Sequence, residues 1–120
     1  MTLMSDVEDS PVAIIVSLLA RESPLSEQIG YGIEEEGVPF RVRASHDDDL
    51  TVAAYEAACD SGLRIGVAVA EHEIVLHHQR LPRNEPLFAV ADPSVSVARA
   101  VGTNAARLAK RTPLKSTEES

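Results

Sequence analysis

The stretch IGVAVAEHEIVLHH, residues 65–78, contains two short apolar runs separated only by a turn around Glu71 and His72. Each run is rich in Val and Ile and bounded by polar residues, the pattern of a buried strand. A parallel pairing would need a crossover of a dozen or more residues, so these two strands must form an antiparallel hairpin. One strand therefore runs against the others.

Upstream, VAIIVSL at residues 12–18 is a continuous, largely β-branched run, as expected of a central strand covered on both faces. RESPLSEQIGYGIEEEG, residues 21–37, then reads as a helix, with Ser23 as N-cap, Pro24 at the first helical position and Gly37 just past the end. Leu25, Ile29 and Ile33 recur every four residues and define its buried stripe. Gly30 and Gly32 each weaken such a helix by roughly 1 kcal/mol relative to Ala. They signal close packing, a close approach by another chain, or simple tolerance.

VPFRVRA, residues 38–44, alternates apolar and basic side chains and so fits a half-exposed or edge strand. The acids of HDDDL sit where the positive end of a helix over residues 48–59 favours them. Beyond the hairpin, RLPRNEP is a loop and LFAVA a short last strand. Asp92-Pro93 then reads as an N-cap and proline opening a helix over residues 93–110, with Pro113 as its stop. Its buried stripe is Ala98, Val101, Ala105 and Leu108, and Arg107, Lys110 and Arg111 gather at the end that favours cations. The order β-α-β-α-β-β-β-α predicts a three-layer α/β/α sandwich on a five-stranded, mostly parallel mixed sheet with one antiparallel strand. A single domain over residues 11–113 is expected, flanked by a flexible acidic leader (1–10) and a flexible tail (114–120).

A formal charge of −8 and a pI near 4.9 oppose binding to a phosphate backbone, and only four aromatic residues, two Tyr and two Phe, are available for stacking on bases. Nucleic acid is therefore not an expected partner. Cys59 is the only cysteine, which excludes an internal disulfide and a cysteine-cluster zinc site and fits a reducing compartment. The leader lacks the basic start of a secretory signal, and the apolar run VAIIVSLLA covers about half of the ~20 residues a membrane span needs. A cytoplasmic protein without a membrane partner is expected.

Recognised catalytic motifs are missing. LARESPLSE follows the first strand with no glycine-rich phosphate loop, and there is neither a G-x-S-x-G elbow nor an H-E-x-x-H helix. His77 and His78 are adjacent on a strand and point to opposite faces, so they cannot chelate one metal together. His46 and the EHE turn read as solvated. What remains is GIEEEG, residues 32–37: three glutamates at the negative end of their own helix dipole, where carboxylates are disfavoured unless something cationic meets them. At about 100° per residue they fan around the helix, so one or two at most can face a common group. A solvated acidic helix end and a contact to a cation both remain open from the residues alone.

Four segments together resemble the small subunits of diol and glycerol dehydratase reactivating factors: GIEEEGVPFRV (32–42), IGVAVAEHEIVLHHQRLP (65–82), EPLF (85–88) and GTNAARLAKR (102–111). The resemblance implies an α/β domain similar to the medium subunit of the adenosylcobalamin-dependent dehydratase. It implies a non-catalytic subunit that pairs with a large, chaperone-like ATPase and helps exchange damaged cobalamin in an inactivated dehydratase by swapping with its look-alike there. ATP and ADP would bind the large subunit only. The middle glutamate, Glu35, would help coordinate Mg²⁺ or Ca²⁺ at the interface with that subunit, with Glu34, Glu35 and Glu36 forming the partner-binding segment. The location would be cytoplasmic, with residence in a microcompartment left open. Thr103 stands where the family pattern carries a second Asn, which leaves diol or glycerol open as the dehydratase substrate. The alternative is a medium-type subunit of the dehydratase itself; the absence of a D-x-H-x-x-G cobalamin motif weighs against it.

Overall fold

The computed structural model describes residues 11–111; the leader, the tail and Pro113 lie outside the described residues. The chain runs β1 (Ile14–Leu18), α1 (Pro24–Glu35), β2 (Phe40–Ala44), α2 (Leu50–Asp60), β3 (Ile65–Val69), β4 (Glu73–His78), β5 (Phe88–Ala91) and α3 (Val95–Lys110). The sheet order is β2-β1-β3-β4-β5. β1 pairs in parallel with both β2 and β3, while β4 is antiparallel to β3 and to β5. The hairpin therefore makes β4 the one reversed strand, as its two-residue turn requires.

Period-two alternation along β1, β3 and β4 divides their side chains between two different packing partners. One face carries Ile14, Val16, Ile65, Val67, Val69, Ile74 and Leu76, buried beneath α1 and α3 through Ile29, Ile33, Ala98, Val101 and Ala105. Each large aliphatic side chain taken fully from water there contributes about 1.5–3 kcal/mol. The opposite face is built from small residues, including Ala68 and Val75, against Ala53 and Ala54 of α2. A Cβ on Gly66 would lie 2.3 Å from the Ala58 nitrogen and 2.4 Å from the Ala54 carbonyl oxygen, so the alanine-rich helix rests on the sheet backbone at this point.

The helix starts follow side-chain chemistry. Ser23 caps α1 in a capping box with Ser26, and Asp49 caps α2 by accepting from the amides of Thr51 and Val52. The start of α3 differs from the sequence reading: its cap is Ser94, whose hydroxyl accepts from Val97 N at 3.2 Å. Asp92 is instead left-handed (φ 49°), and its amide donates to the His72 carbonyl at 2.7 Å, tying the end of β5 to the hairpin turn. β2 is an edge strand as expected, with Val42 exposed. Its Arg43 reaches across the strand to Ser17, which is fully buried, and to Asp60. Among the described residues, no helix is long and apolar enough to cross a membrane.

Candidate partner and metal interface

The glutamate segment closes α1 beside α3. Gly32 and Gly102 allow these helices to touch backbone to backbone: a Cβ on Gly32 would lie 2.2 Å from the Arg99 carbonyl oxygen, and one on Gly102 would lie 2.1 Å from that of Ile29. Of the three possibilities for Gly32, close packing within the chain is the one observed. Gly30 differs, since its Cβ would meet only the Phe40 ring, at 3.0 Å.

This proximity supplies the cations that the acidic helix end lacked. Arg99 of α3 pairs with the Glu35 carboxylate and passes 6.0 Å from the centre of the Tyr31 ring. Glu36, at the C-cap, is gripped by Lys110 Nζ at 2.9 Å through both its carboxylate and its carbonyl oxygen, and by Arg107 at 3.3 Å. Glu34 is exposed and lines a hollow of about 220 Å³ with Tyr31, Phe40, Val42, Glu22 and Glu27. The fan read from the sequence is thus realised: each glutamate faces a different neighbour.

Sequence reasoning noticed Arg107 and Lys110 but assigned them to their own helix dipole, and it missed Arg99. A signal was present, because at about 100° per residue these three cations fall within an arc of roughly 80° on α3. Only the docking of α3 against α1 turns that stripe into partners for the glutamates.

The Lys110 hydrogen bond, and then the fields of Arg107 and Lys110, hold the Glu36 carboxyl below its usual pKa of 4.5, against the opposing effect of burial. A carboxyl depressed in the folded state adds stability that is complete above the unfolded value and is lost as pH falls through the folded one. Thermal melts recorded from neutral pH to about pH 3 are expected to show a smaller acid destabilisation in Glu36→Gln than in the parent chain. An equal loss in both would remove Glu36 from the acid response.

His77 behaves as a structural group. It is fully buried beneath α2, edge-on to Tyr55 with ring centres 5.2 Å apart. Its Nε2 donates to the Arg83 carbonyl at 3.0 Å, and its Nδ1 accepts from His78 N at 2.9 Å. Among the described residues, no three His, Cys, Asp or Glu side chains converge so as to hold a metal ion. The described residues offer at most a partial ligand set, and Glu35 and Glu34 are hard-oxygen donors suited to Mg²⁺ or Ca²⁺. The crevice beyond the carboxyl ends of β1 and β3, where open α/β sheets bind ligands, is lined by Asp48, Asp49 and Glu73, which repel a phosphate.

Comparison with known proteins agrees with this fold. Residues 10–115 match the family described as dehydratase medium subunit. The chain is 36% identical over 111 residues to the propanediol dehydratase-reactivating factor small subunit of Salmonella typhimurium, covering 92% of this chain and 96% of that protein. It is also 36% identical over 107 residues to the diol dehydratase-reactivating factor small subunit of Klebsiella michiganensis, covering 88% and 86% respectively. Among solved structures, the diol dehydratase-reactivating factor complexed with ADP and Mg²⁺ superposes with a TM-score of 0.80 at 33% identity, covering 88% of this chain and 98% of that one. A glycerol dehydratase reactivase superposes with a TM-score of 0.81 at 28% identity, covering 89% and 98%.

Proposed function

The chain belongs to the dehydratase-reactivating factor small subunits, within the dehydratase medium subunit family, and from that premise we propose that it is the non-catalytic small subunit of an ATP-dependent, chaperone-like reactivating factor. The target is an adenosylcobalamin-dependent diol or glycerol dehydratase. The large partner subunit binds and hydrolyses ATP, in keeping with the lack of a glycine-rich phosphate loop in the sequence of this chain. Trading places with the medium subunit of an inactivated dehydratase opens a route for damaged cobalamin to leave. The assembly works in the cytoplasm. The observation that carries the proposal is end-to-end similarity: at 36% identity the match spans 96% of a relative named as a reactivating factor small subunit.

Within that reading, Glu34, Glu35 and Glu36 form part of the surface presented to the large subunit, and Glu35 adds one carboxylate to a divalent cation held mainly by that subunit. Mg²⁺ or Ca²⁺ there would supply a charge bridge between two acidic surfaces. Glu35 sits at the C-terminal end of α1 with its side chain about half exposed, and its neighbour Glu34 lines the hollow that exposed Tyr31 and Val42 share, so carboxylates and an apolar contact area lie on the same segment. Arg99 holds the Glu35 carboxylate in the isolated chain and is the group that the cation would displace.

The test is affinity for the purified large subunit with Mg²⁺ and with chelator. Glu35→Ala is expected to weaken assembly by about tenfold and to abolish the Mg²⁺ dependence, in the range for losing a charged ligand at an interface. If neither Glu35→Ala nor chelation changes the affinity, Glu35 is not a metal ligand. If the chain ignores the large subunit but restores activity to a dehydratase lacking its medium subunit, the reactivase assignment falls in favour of the dehydratase itself.

A further inference from the structure

A second concavity lies at the opposite end of β3 from the acid-lined crevice, and it reverses the sign of the protein. About 380 Å³ in volume, it is lined by Gly62, Leu63, Arg64, Ile65, His78, Arg80, Leu108, Ala109 and Arg111. Three guanidinium groups and an imidazole share this wall and no carboxylate does, in a chain whose formal charge is −8. The arginines come from three separate segments: the turn before β3, the residues after β4 and the end of α3. None of the three forms an ion pair with a carboxylate among the described residues, whereas Arg43, Arg99, Arg107 and Lys110 all do.

The local backbone is also specialised. Arg64 (φ 67°) and Arg111 (φ 60°) are two of the three non-glycine residues in the left-handed region among the described residues, where an L side chain is disfavoured. Turns hold both of them: Arg64 N donates to the Ser61 carbonyl at 2.9 Å, Gln79 N donates to the Arg64 carbonyl at 3.0 Å, and Arg111 N closes back on Leu108 at 3.2 Å. A left-handed helix cap is ordinarily the place for Gly or Asn. Here the left-handed cap is an arginine that lines the pocket. His78 fits the same field: burial, and then the charges of Arg80 and Arg64, keep its pKa below the usual imidazole value. Like charges gathered in a hollow with no carboxylate among its described lining residues favour an anion that offsets their repulsion.

We propose that the hollow formed by Arg64, His78, Arg80 and Arg111 is a binding site for a small multivalent oxyanion of the phosphate class. Guanidinium groups match such ligands through paired, charge-assisted hydrogen bonds. Three of them exceed what one carboxylate can neutralise, which favours a ligand carrying two or more charges. The site is separate from the glutamate segment and does not depend on the reactivase assignment.

The test is titration of the full-length ¹⁵N-labelled chain with pyrophosphate at constant ionic strength, followed by amide chemical shifts. Saturable shifts confined to residues 62–65, 78–80 and 108–111 are expected. Arg64→Asn with Arg80→Gln is expected to weaken binding by at least about tenfold, as for losing charge-assisted hydrogen bonds. Arg21→Gln with Arg41→Gln, which removes the same charge elsewhere, should leave it unchanged. Asn tolerates the left-handed position, and exposed Arg80→Gln alone carries the comparison if the double variant does not fold. Non-saturating shifts, or equal weakening by the control pair, would show general charge attraction and overturn the proposal.

Discussion

Gly102→Ala is expected to destabilise the chain by about 3 kcal/mol or more. The added Cβ would lie 2.1 Å from the Ile29 carbonyl oxygen, 2.8 Å from its carbonyl carbon and 3.0 Å from its Cα. All three are backbone atoms of α1, so no side chain can swing aside and the helices must separate. Separation uncovers Ile29, Ile33, Ala98, Val101 and Ala105, which have little or no exposure in the folded chain. Replacing glycine in a helix returns about 1 kcal/mol through propensity, which cannot offset that loss. Gly30→Ala is the control: its Cβ meets only the Phe40 ring at 3.0 Å, where a small ring shift relieves the contact, so it should be close to neutral. Urea melts of the two variants decide the matter. Equal stabilities would mean that the α1–α3 contact is not the tight point of the fold.

The same pair of helices shows what the sequence could and could not reveal. Element order, the reversed β4 strand, the edge position of β2 and the Ser23 cap of α1 all follow from local chemistry, because periodicity, turn length and hydroxyl caps act over a few residues. The α3 cap was misread at Asp92 because Asp-Pro and Ser both fit a helix start. The choice fell to Ser94 through a contact made elsewhere, the Asp92 amide bonding to His72. The glutamates were recognisable as electrostatically awkward, and their fanning followed from helical geometry. Their cations were not recognisable, because Arg99 lies 64 residues from Glu35 in the chain and Lys110 lies 74 from Glu36, and no local rule links such positions. The resemblance in GIEEEG could name a role for Glu35 but could not show that Arg99 already holds it. That pairing makes the proposed interface a competition between an arginine and a cation, with Gly32 and Gly102 setting the distance at which the arginine reaches.

His77→Ala is the second large effect, expected to cost about 3 kcal/mol and to lower the Tm by roughly 10 °C. The ring is fully buried and edge-on to Tyr55, so truncation opens a cavity between the sheet and α2. It also leaves the Arg83 carbonyl without its donor at a site closed to solvent on the sheet side. Residues 79–87 link β4 to β5 without regular structure; His78 Nδ1 accepts from Arg80 N at 3.0 Å at the start of this loop, and the His77 hydrogen bond to Arg83 ties its middle to the sheet. Loss of that anchor should therefore appear in the loop before the core. Faster amide exchange and proteolytic cleavage between Arg80 and Leu87 are expected under conditions where β1 and β3 stay protected. His77→Phe separates the two contributions: it keeps an aromatic ring against Tyr55 but offers nothing to Arg83, so stability should largely recover while the loop remains exchange-labile. If the loop in His77→Phe were as protected as in the parent chain, the Nε2 bond would not be its anchor, and the burial of His77 would serve packing alone.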